Sequence, residues 1–183
     1  NDAGTIYSIA GGQKRGFTTA AVFTGLGYRF SNVITDSLAS YTLGANIDSA
    51  TAAHPVGTEV NSSGTIWLIG ATGRAGIPSL AVFQSNGFDF AAVVPANAAD
   101  LALTVLPNLG YRIGSIINDT GTIWAITSAT AKQGFPTASC FLTELGYQWS
   151  WVIAGSTAGY TAGAHLCTGT PPPPPSAAEI PAS

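Results

Sequence analysis

A short sequence phrase recurs three times in the chain and constrains its fold more than any other feature. The phrase reads NDAGTIYSIA from Asn1, NSSGTIWLIG from Asn61 and NDTGTIWAIT from Asn118. A Gly-Phe or Gly-Ile pair follows each copy, and a third motif comes next, written GLGYRF, SNGFDF and ELGYQW. Since the motifs keep their order and spacing in every copy, the chain is predicted to contain three tandem repeats of one structural unit.

Each repeat carries a local signal for every element of a small unit. Asn-x-x-Gly predicts a tight turn, and the β-branched and aromatic residues that follow it predict a strand. A third strand and a short helix come next, the helix having a Thr or Ser N-cap and a Gly beyond its end. The N-caps are Thr19, Ser79 and Thr137, and the glycines are Gly27, Gly87 and Gly146. Because such a unit is too small to bury its own apolar face, it must pack against its neighbours.

The predicted fold is therefore α+β, with three tandem β-hairpin, strand and short-helix repeats followed by an extended proline-rich tail. The repeats are expected to pack as one pseudo-threefold ring or as a linear array. Repeat 1 covers residues 1–56 and lacks its first strand, repeat 2 covers 57–113 and repeat 3 covers 114–170. A polyproline tail and a terminal strand cover 171–183.

The strand that repeat 1 lacks has a candidate replacement at the other end of the sequence. The segment AEIPAS aligns with TEVNSS. In this alignment Glu179 and Ile180 match Glu59 and Val60, at the start of the second predicted hairpin. The terminal strand is expected to complete the first hairpin, either in the same chain, closing a ring, or in a neighbouring chain by strand addition. The residues it would join are Thr5, Ile6 and Tyr7. The five prolines at 171–175 predict a polyproline II strut, with a flexible linker as the alternative.

Composition limits the partners of the chain. Only 8% of the residues are charged and the net charge is −3, so no basic surface for nucleic acid or an anionic membrane is predicted. A neutral surface favours packing between protein copies or contact with sugars. No run of eighteen apolar residues exists, so no membrane span is predicted. The absence of Met indicates a processed form or a fragment, and the expected location is secreted or at the cell surface.

Two kinds of covalent chemistry are predicted. Cys140 and Cys167 are the two cysteines, and a disulfide between them is expected, with two buried thiols as the alternative. The sequons at Asn61 and Asn118 fall in predicted turns. They are candidate glycosylation sites, although turn chemistry alone also accounts for them.

The chain is not expected to be an enzyme. Its carboxylates are scattered at equivalent turns, and no phosphate-binding glycine loop or metal-ligand cluster is recognisable. We expect no cofactor and no metal. His54 and His165 are interpreted as surface or structural residues, and a Cys167/His165 pair acting as nucleophile or metal ligand is the weaker alternative.

Aromatic residues recur at three positions of the repeat. They are interpreted first as the core of each unit, because aromatic side chains dominate burial in small domains. Where exposed, they could stack on sugar rings. The candidate platforms are Trp67, Trp124, Trp149 and Trp151.

The string GTIYSIAGGQKRGFTTAAVFTGLGYRFSNVI, residues 4–34, resembles repeats of secreted and cell-surface bacterial proteins. Those repeats read Gly-Thr-hydrophobic-Tyr-x-Ile, then Lys-Arg-x-Phe, then Phe-x-x-x-Gly-Tyr-x-Trp. The resemblance covers nearly all of residues 1–170 and implies a non-catalytic surface or wall-associated module. Copies two and three depart from it at the cation pair, with Gly73-Arg74 and Lys132-Gln133 in its place.

Two functions follow from these patterns. The leading hypothesis is a structural subunit that self-assembles into an extracellular filament, sheath or surface layer, with its own copies as partners. The alternative is a monomeric module that binds cell-wall polysaccharide or another carbohydrate through a row of aromatic residues.

Overall fold

The structure is a computed structural model that describes residues 1–167. It is a mixed α/β fold, mostly strands, with one three-stranded and two five-stranded sheets and few helices. Two compact units are present: unit 1 contains Asn1–Ile77 and Asp89–Asn108, and unit 2 contains Pro78–Phe88 and the described residues from Leu109 onward. The predicted polyproline tail and terminal strand, with Glu179 and Ile180, lie outside the described residues.

The first sheet belongs to unit 1 and has three strands, β1 (Tyr7–Ala10), β2 (Gln13–Gly16) and β3 (Thr42–Leu43). β1 and β2 form an antiparallel hairpin, and β3 adds to β2 in parallel. The order is β1-β2-β3, so within residues 1–167 β1 has a strand neighbour on one edge only.

The second sheet also belongs to unit 1. Its strands are β4 (Glu59–Ser62), β5 (Thr65–Ile69), β6 (Arg74–Gly76), β7 (Val94–Pro95) and β8 (Val105–Leu106). Three antiparallel strands, β4, β5 and β6, form the centre, and β7 and β8 lie parallel at the two edges.

The third sheet belongs to unit 2 and repeats this plan. Its strands are β9 (Ile116–Asp119), β10 (Thr122–Ile126), β11 (Ala131–Gly134), β12 (Val152–Ala154) and β13 (Thr161–Ala162). The order β12-β9-β10-β11-β13 corresponds strand by strand to β7-β4-β5-β6-β8. The first sheet corresponds to the last three strands of the same order.

The hairpin turns form for the predicted reason. The side-chain oxygens of Asn61 and Asn118 accept hydrogen bonds from the backbone N–H groups of Gly64 and Gly121, at 3.0 and 2.8 Å. Both glycines have positive φ, where a side chain would clash with the backbone. The β4–β5 and β9–β10 hairpins predicted from the sequence are confirmed.

Two of the three predicted helices are α-helices, α1 (Ala20–Gly25) and α2 (Leu80–Ser85). The Thr19 and Ser79 hydroxyls accept hydrogen bonds from backbone N–H groups in the first turn, at 3.1 and 3.2 Å, as predicted for N-caps. A four-residue helix that the sequence did not predict, α3 (Ala98–Leu101), follows β7.

The third predicted helix is present, but Cys140–Glu144 is a π-helical turn rather than an α-helix. Its Leu145 N–H donates to the Cys140 carbonyl at 3.2 Å, five residues earlier. Nine positions separate Thr137 from Gly146, whereas eight separate Thr19 from Gly27. The wider turn absorbs this extra residue.

The predicted disulfide is confirmed, with the Cα atoms of Cys140 and Cys167 5.9 Å apart. Cys167 therefore offers no thiol, so the Cys167/His165 nucleophile or metal pair is wrong. Cys140 lies in the buried cluster of unit 2, beside Phe141 and Ile116. Among the residues from Asn1 to Cys167, no helix is long and apolar enough to cross a membrane.

A buried polar link holds the end of α1 in unit 1. The His54 ring, predicted to be structural or exposed, is buried, and its two nitrogens face Asp100 Oδ2 at 2.7 Å and the Leu26 carbonyl oxygen at 2.6 Å. The His54 backbone N–H donates to Asp100 Oδ1 at 2.8 Å. Asp100 also closes a capping box with Asn97 at the start of α3. One carboxylate thus fixes both the connector before the second sheet and the helix after β7.

We expect Asp100→Asn to destabilise unit 1 strongly. The Asn amide would place a donor against the backbone N–H groups of His54 and Asn97, which now share the buried carboxylate. Removing one partner of a buried charged pair costs about 3–5 kcal/mol. Hydrogen exchange in urea, followed separately for peptides of the two units, measures the loss. Asp48→Asn, at an exposed position of the same connector, is the matched control. Equal stability of the two variants would contradict the structural role given to Asp100.

Candidate functional site

Each of the three hairpins holds an aromatic ring beneath a cation. The cation lies 4.3 to 5.1 Å from the ring centroid. The pairs are Tyr7 with Lys14, Trp67 with Arg74, and Trp124 with Lys132. At these distances the cation is attracted to the face of the ring.

The strand register creates these pairs. Each ring residue lies opposite a glycine on the next strand, as Trp67 does opposite Gly76 and Trp124 opposite Gly134. Because glycine has no side chain, the ring can lie across the neighbouring strand: a Cβ on Gly134 would be 3.3 Å from a Trp124 ring atom. The cation comes from the same neighbouring strand, two residues away. Trp67 and Trp124, predicted as sugar platforms, are therefore half-buried with one face covered.

In the first and third sheets a carboxylate accompanies the cation. Asp2 forms an ion pair with Lys14 at 3.2 Å. Asp119, at the matching register position, accepts hydrogen bonds from the side chain and backbone of Thr157, and these bonds lower the pKa of its carboxyl, as does the charge of Lys132. Lys132 donates in turn to the Thr157 carbonyl.

The second sheet lacks this carboxylate. Ser62 pairs with Thr65 in the register that Asp119 has with Thr122. The Arg74 Nε and Nη1 groups are buried and find no acceptor among residues 1–167. The Arg74 guanidinium thus lies over the ring of Trp67. Lys14 and Lys132, the cations at the same position in the other hairpins, also have polar partners.

The other two predicted platforms lie together in unit 2. Trp149 and Trp151 begin and end a 3₁₀ turn, with exposed fractions of 52% and 51%. The Trp149 ring packs on Phe141 with centroids 4.6 Å apart, and Trp151 meets the edge of Tyr147 at 6.2 Å. We call these four residues, together with Phe135, the terminal aromatic cluster. One side of each indole packs against these aromatic rings, and the rest of the indole is exposed to solvent.

An exposed apolar position lies in the segment that runs beside Asn1 in unit 1. The Asp36 N–H donates to the Asn1 carbonyl at 3.1 Å, as the Ala96 N–H does to the Asn61 carbonyl at 2.9 Å. This match places Ile34 where the second sheet has Val94. Ile34 is 71% exposed, whereas Val94 is 5% exposed.

Val94 is covered because the end of α1 packs on the second sheet. Tyr28 touches the buried cluster of Val60, Ile69 and Val94, and its hydroxyl shares a 2.7 Å hydrogen bond with Thr58. Burial raises the pKa of the Tyr28 phenol. The phenol therefore stays neutral, and keeps this bond, further into alkaline solution than an exposed tyrosine would.

The buried acids and histidines of residues 1–167 are His54 and Asp100, which contact each other, and Glu59 in β4. Within the described part of the chain, no three His, Cys, Asp or Glu side chains are placed to hold a metal ion. Glu59 is buried in β4, and this burial raises the pKa of its carboxyl.

Several of these residues escaped prediction because each repeat was interpreted alone. The sequence pattern places Asp2 and Asp119 in turns, and it predicts no interaction for Ser62. Aligning the three hairpins by register reveals that two carry an acid beside the cation and one does not.

No protein-family model matches the chain, and no curated protein matches it. Among solved structures, one similarity is to a chain of the periplasmic assembly from the ESX-5 inner membrane complex, at 15% identity and a TM-score of 0.24. The alignment covers 73% of this protein and 50% of that chain, so the protein spans about half the length of its structural match. At this TM-score the likeness assigns neither a fold nor a function.

We expect Ser62→Asp to stabilise unit 1. The carboxylate would supply the acceptor that Arg74 lacks, and a charge-assisted hydrogen bond of this kind contributes about 1–3 kcal/mol. Urea unfolding followed by hydrogen exchange in β5 and β6 measures the gain. Ser62→Asn is the control of equal size and no charge. If both variants unfold at the same urea concentration, the acid at this position has no role in the pair.

Proposed function

We propose that this protein is a non-catalytic structural module whose copies join end to end in an extracellular assembly such as a filament, sheath or surface layer. In unit 1 the helix of repeat 1 packs on the sheet of repeat 2, and in unit 2 the helix of repeat 2 packs on the sheet of repeat 3. The disulfide is compatible with an oxidising compartment.

The packing of α1 on the second sheet carries this proposal. The Tyr28 hydroxyl reaches Thr58, the Leu26 carbonyl reaches the His54 ring, and Val60 and Val94 become buried beneath them. In unit 2, α2 packs on β12, the strand that corresponds to β7. The same contact thus occurs twice, each time between the helix of one repeat and the sheet of the following repeat.

Each unit carries one of the two surfaces that a third such contact requires. Tyr147 occupies the repeat position of Tyr28, and its hydroxyl makes no hydrogen bond with any residue from 1 to 167. Ile34 occupies the position of Val94 and is exposed. We infer that the helix end of repeat 3 in one copy packs on the first sheet of another, so that Ile34 is buried as Val94 is.

Among residues 1–167, β1 has a strand neighbour on one edge only, and the other edge is the second component of the proposed contact. A strand added beside β1 would complete the order found in the second and third sheets, and unpaired strand edges readily accept another chain. The segment at Glu179 and Ile180 matches β4 in sequence and is our candidate for this strand, from the same or a neighbouring copy. The low charge of the protein offers little repulsion against such contacts.

We expect Ile34→Asp to prevent the association of copies. An unpaired carboxylate buried in an apolar contact costs several kcal/mol, so the association constant should fall by at least about 100-fold. Sedimentation velocity over a concentration series, with electron microscopy of the products, measures this change. Leu43→Asp is the matched control, because Leu43 is 70% exposed in β3 of the same unit.

Equal assembly by the Ile34→Asp and Leu43→Asp variants would contradict the proposed contact. The strand is tested separately by Ile180→Pro, which removes the side chain and a backbone N–H donor. If Ile180→Pro assembles normally while Ile34→Asp does not, the helix-to-sheet contact stands and the terminal strand does not take part.

A second function, carbohydrate binding, is favoured by the two exposed indoles of the terminal aromatic cluster. Their rings are held by Phe141 and Tyr147, so stacking on a sugar would cost little side-chain entropy.

We expect the wild-type protein to be retained on insoluble peptidoglycan or a related polysaccharide. The Trp149→Ala/Trp151→Ala variant should remain unbound in the supernatant. Co-sedimentation of monomeric protein measures the retained fraction. Phe30→Ala/Phe90→Ala is the control, since these rings occupy the repeat position of Trp149 and are 54% and 58% exposed. Equal retention of both variants would exclude the tryptophans as the sugar platform.

A further inference from the structure

We propose that a groove in unit 2 binds a polyproline segment of this same protein, the run Pro171–Pro175. The groove has a volume of about 500 Å³. Three segments form it: residues 78–82 at the start of α2, the connector 109–111, and residues 154–156 together with Tyr160. This binding site is separate from the assembly contact proposed above.

The aromatic wall of the groove is fixed before any ligand arrives. Tyr111 is buried, and its hydroxyl donates to the Ser156 carbonyl at 3.0 Å. Its backbone N–H donates to the Tyr160 hydroxyl oxygen at 2.8 Å. The two rings lie 5.8 Å apart at 39°. A ligand that packs on them meets a preorganised surface, which lowers the entropic cost of binding.

A difference in connector length explains why the groove is open. In unit 1 six residues separate Ile47 from His54, whereas in unit 2 only Gly110 separates Leu109 from Tyr111. Ile47 and Leu109 follow equivalent strands, and His54 and Tyr111 each precede by three residues the Gly that begins the next repeat. The connector of unit 2 is therefore shorter by five residues.

In unit 1 the longer connector covers the corresponding surface. Its Ile47 carbonyl accepts from the Thr18 N–H at 3.0 Å, and its Ala52 carbonyl accepts from the Asn97 side chain at 2.8 Å. Between them Ala50 packs directly on Gly25 of α1. The surface that corresponds to the groove thus accommodates a stretch of chain with small side chains when such a stretch is present.

The chemistry of the groove fits a ligand that accepts hydrogen bonds and donates none. Its lining is mainly apolar, with Leu80, Ala81 and Leu109 beside the tyrosines. The Tyr160 hydroxyl accepts a bond from Tyr111, while its own hydrogen has no acceptor among the residues up to Cys167. Polyproline carries carbonyl acceptors without N–H donors, and its preformed helix packs well against aromatic grooves.

The length of the chain beyond the described residues allows this contact within one copy. Cys167 lies seven positions after Tyr160, so their Cα atoms are at most about 25 Å apart. Pro175 lies eight residues beyond Cys167 and can reach about 28 Å from it. The segment of a second copy would present the same chemistry, and the experiment distinguishes the two sources.

A photoreactive residue in the groove tests the proposal in the full-length chain. We would replace Leu80, which is 56% exposed, by benzoylphenylalanine, and Val105, which is 58% exposed in unit 1, as the matched control. After irradiation and reduction of the disulfide, mass spectrometry of chymotryptic fragments, which separate the residues after Leu166 from those of the groove, should find cross-links from position 80 to residues 168–183 and none from position 105. Mixing isotopically light and heavy protein identifies whether the two ends belong to one copy. Absence of cross-links between position 80 and the proline segment would overturn the proposal.

Hydrogen exchange provides a readout that needs no photoreactive residue. Replacing Pro172, Pro173 and Pro174 by Ser should remove the preformed helix, and the Tyr111 amide should then exchange about tenfold faster than in wild type. Tyr160→Phe should also speed exchange in residues 168–183, because it keeps the ring and removes the donor. Unchanged exchange at Tyr111 in the triple variant would show that the prolines do not occupy the groove. Assembly by these variants is scored separately, so the two proposals can fail independently.

Discussion

The docking of a helix end onto a sheet is the interaction on which unit 1 depends. A helix of six residues such as α1 is too short to persist alone in water. It becomes stable because Leu26 and Tyr28 pack at its end and because the carbonyl of Leu26, its C-cap residue, contacts a buried histidine. The same packing covers the apolar face of the second sheet around Val60. Helix and sheet therefore supply each other with the burial that neither has alone.

Local structure could be predicted from the sequence to the extent that its causes are local. The Asn-x-x-Gly turns, the Thr19 and Ser79 caps and the disulfide all followed from neighbouring residues or from the cysteine count. The link between His54 and Asp100 could not be predicted, because 46 residues separate them and no short motif joins them. The π-helical turn was missed for a different reason, since its extra residue is visible when the three repeats are counted.

The sequence predicted which residue types form the candidate sites, but not how exposed those residues are or which side chains cover them. All four tryptophans were proposed as binding surfaces, yet their exposure depends on which residue lies across the strand or under the ring. Trp67 is covered by Arg74 because of the β5–β6 register, whereas Trp151 projects from a 3₁₀ turn. Register and turn geometry arise from pairing between distant segments, so they follow only once the sheets are known.

The position of the disulfide has a mechanical consequence. It joins the first residue of the π-helical turn to the last described residue of the chain, across a separation of 27 positions. Tension applied through the residues after Cys167 passes across the sulfur bridge to Cys140, and the intervening segment, which includes both exposed tryptophans, carries no load. In a polymer under strain, Phe141, Tyr147, Trp149 and Trp151 would keep their arrangement while the residues before Cys140 stretched.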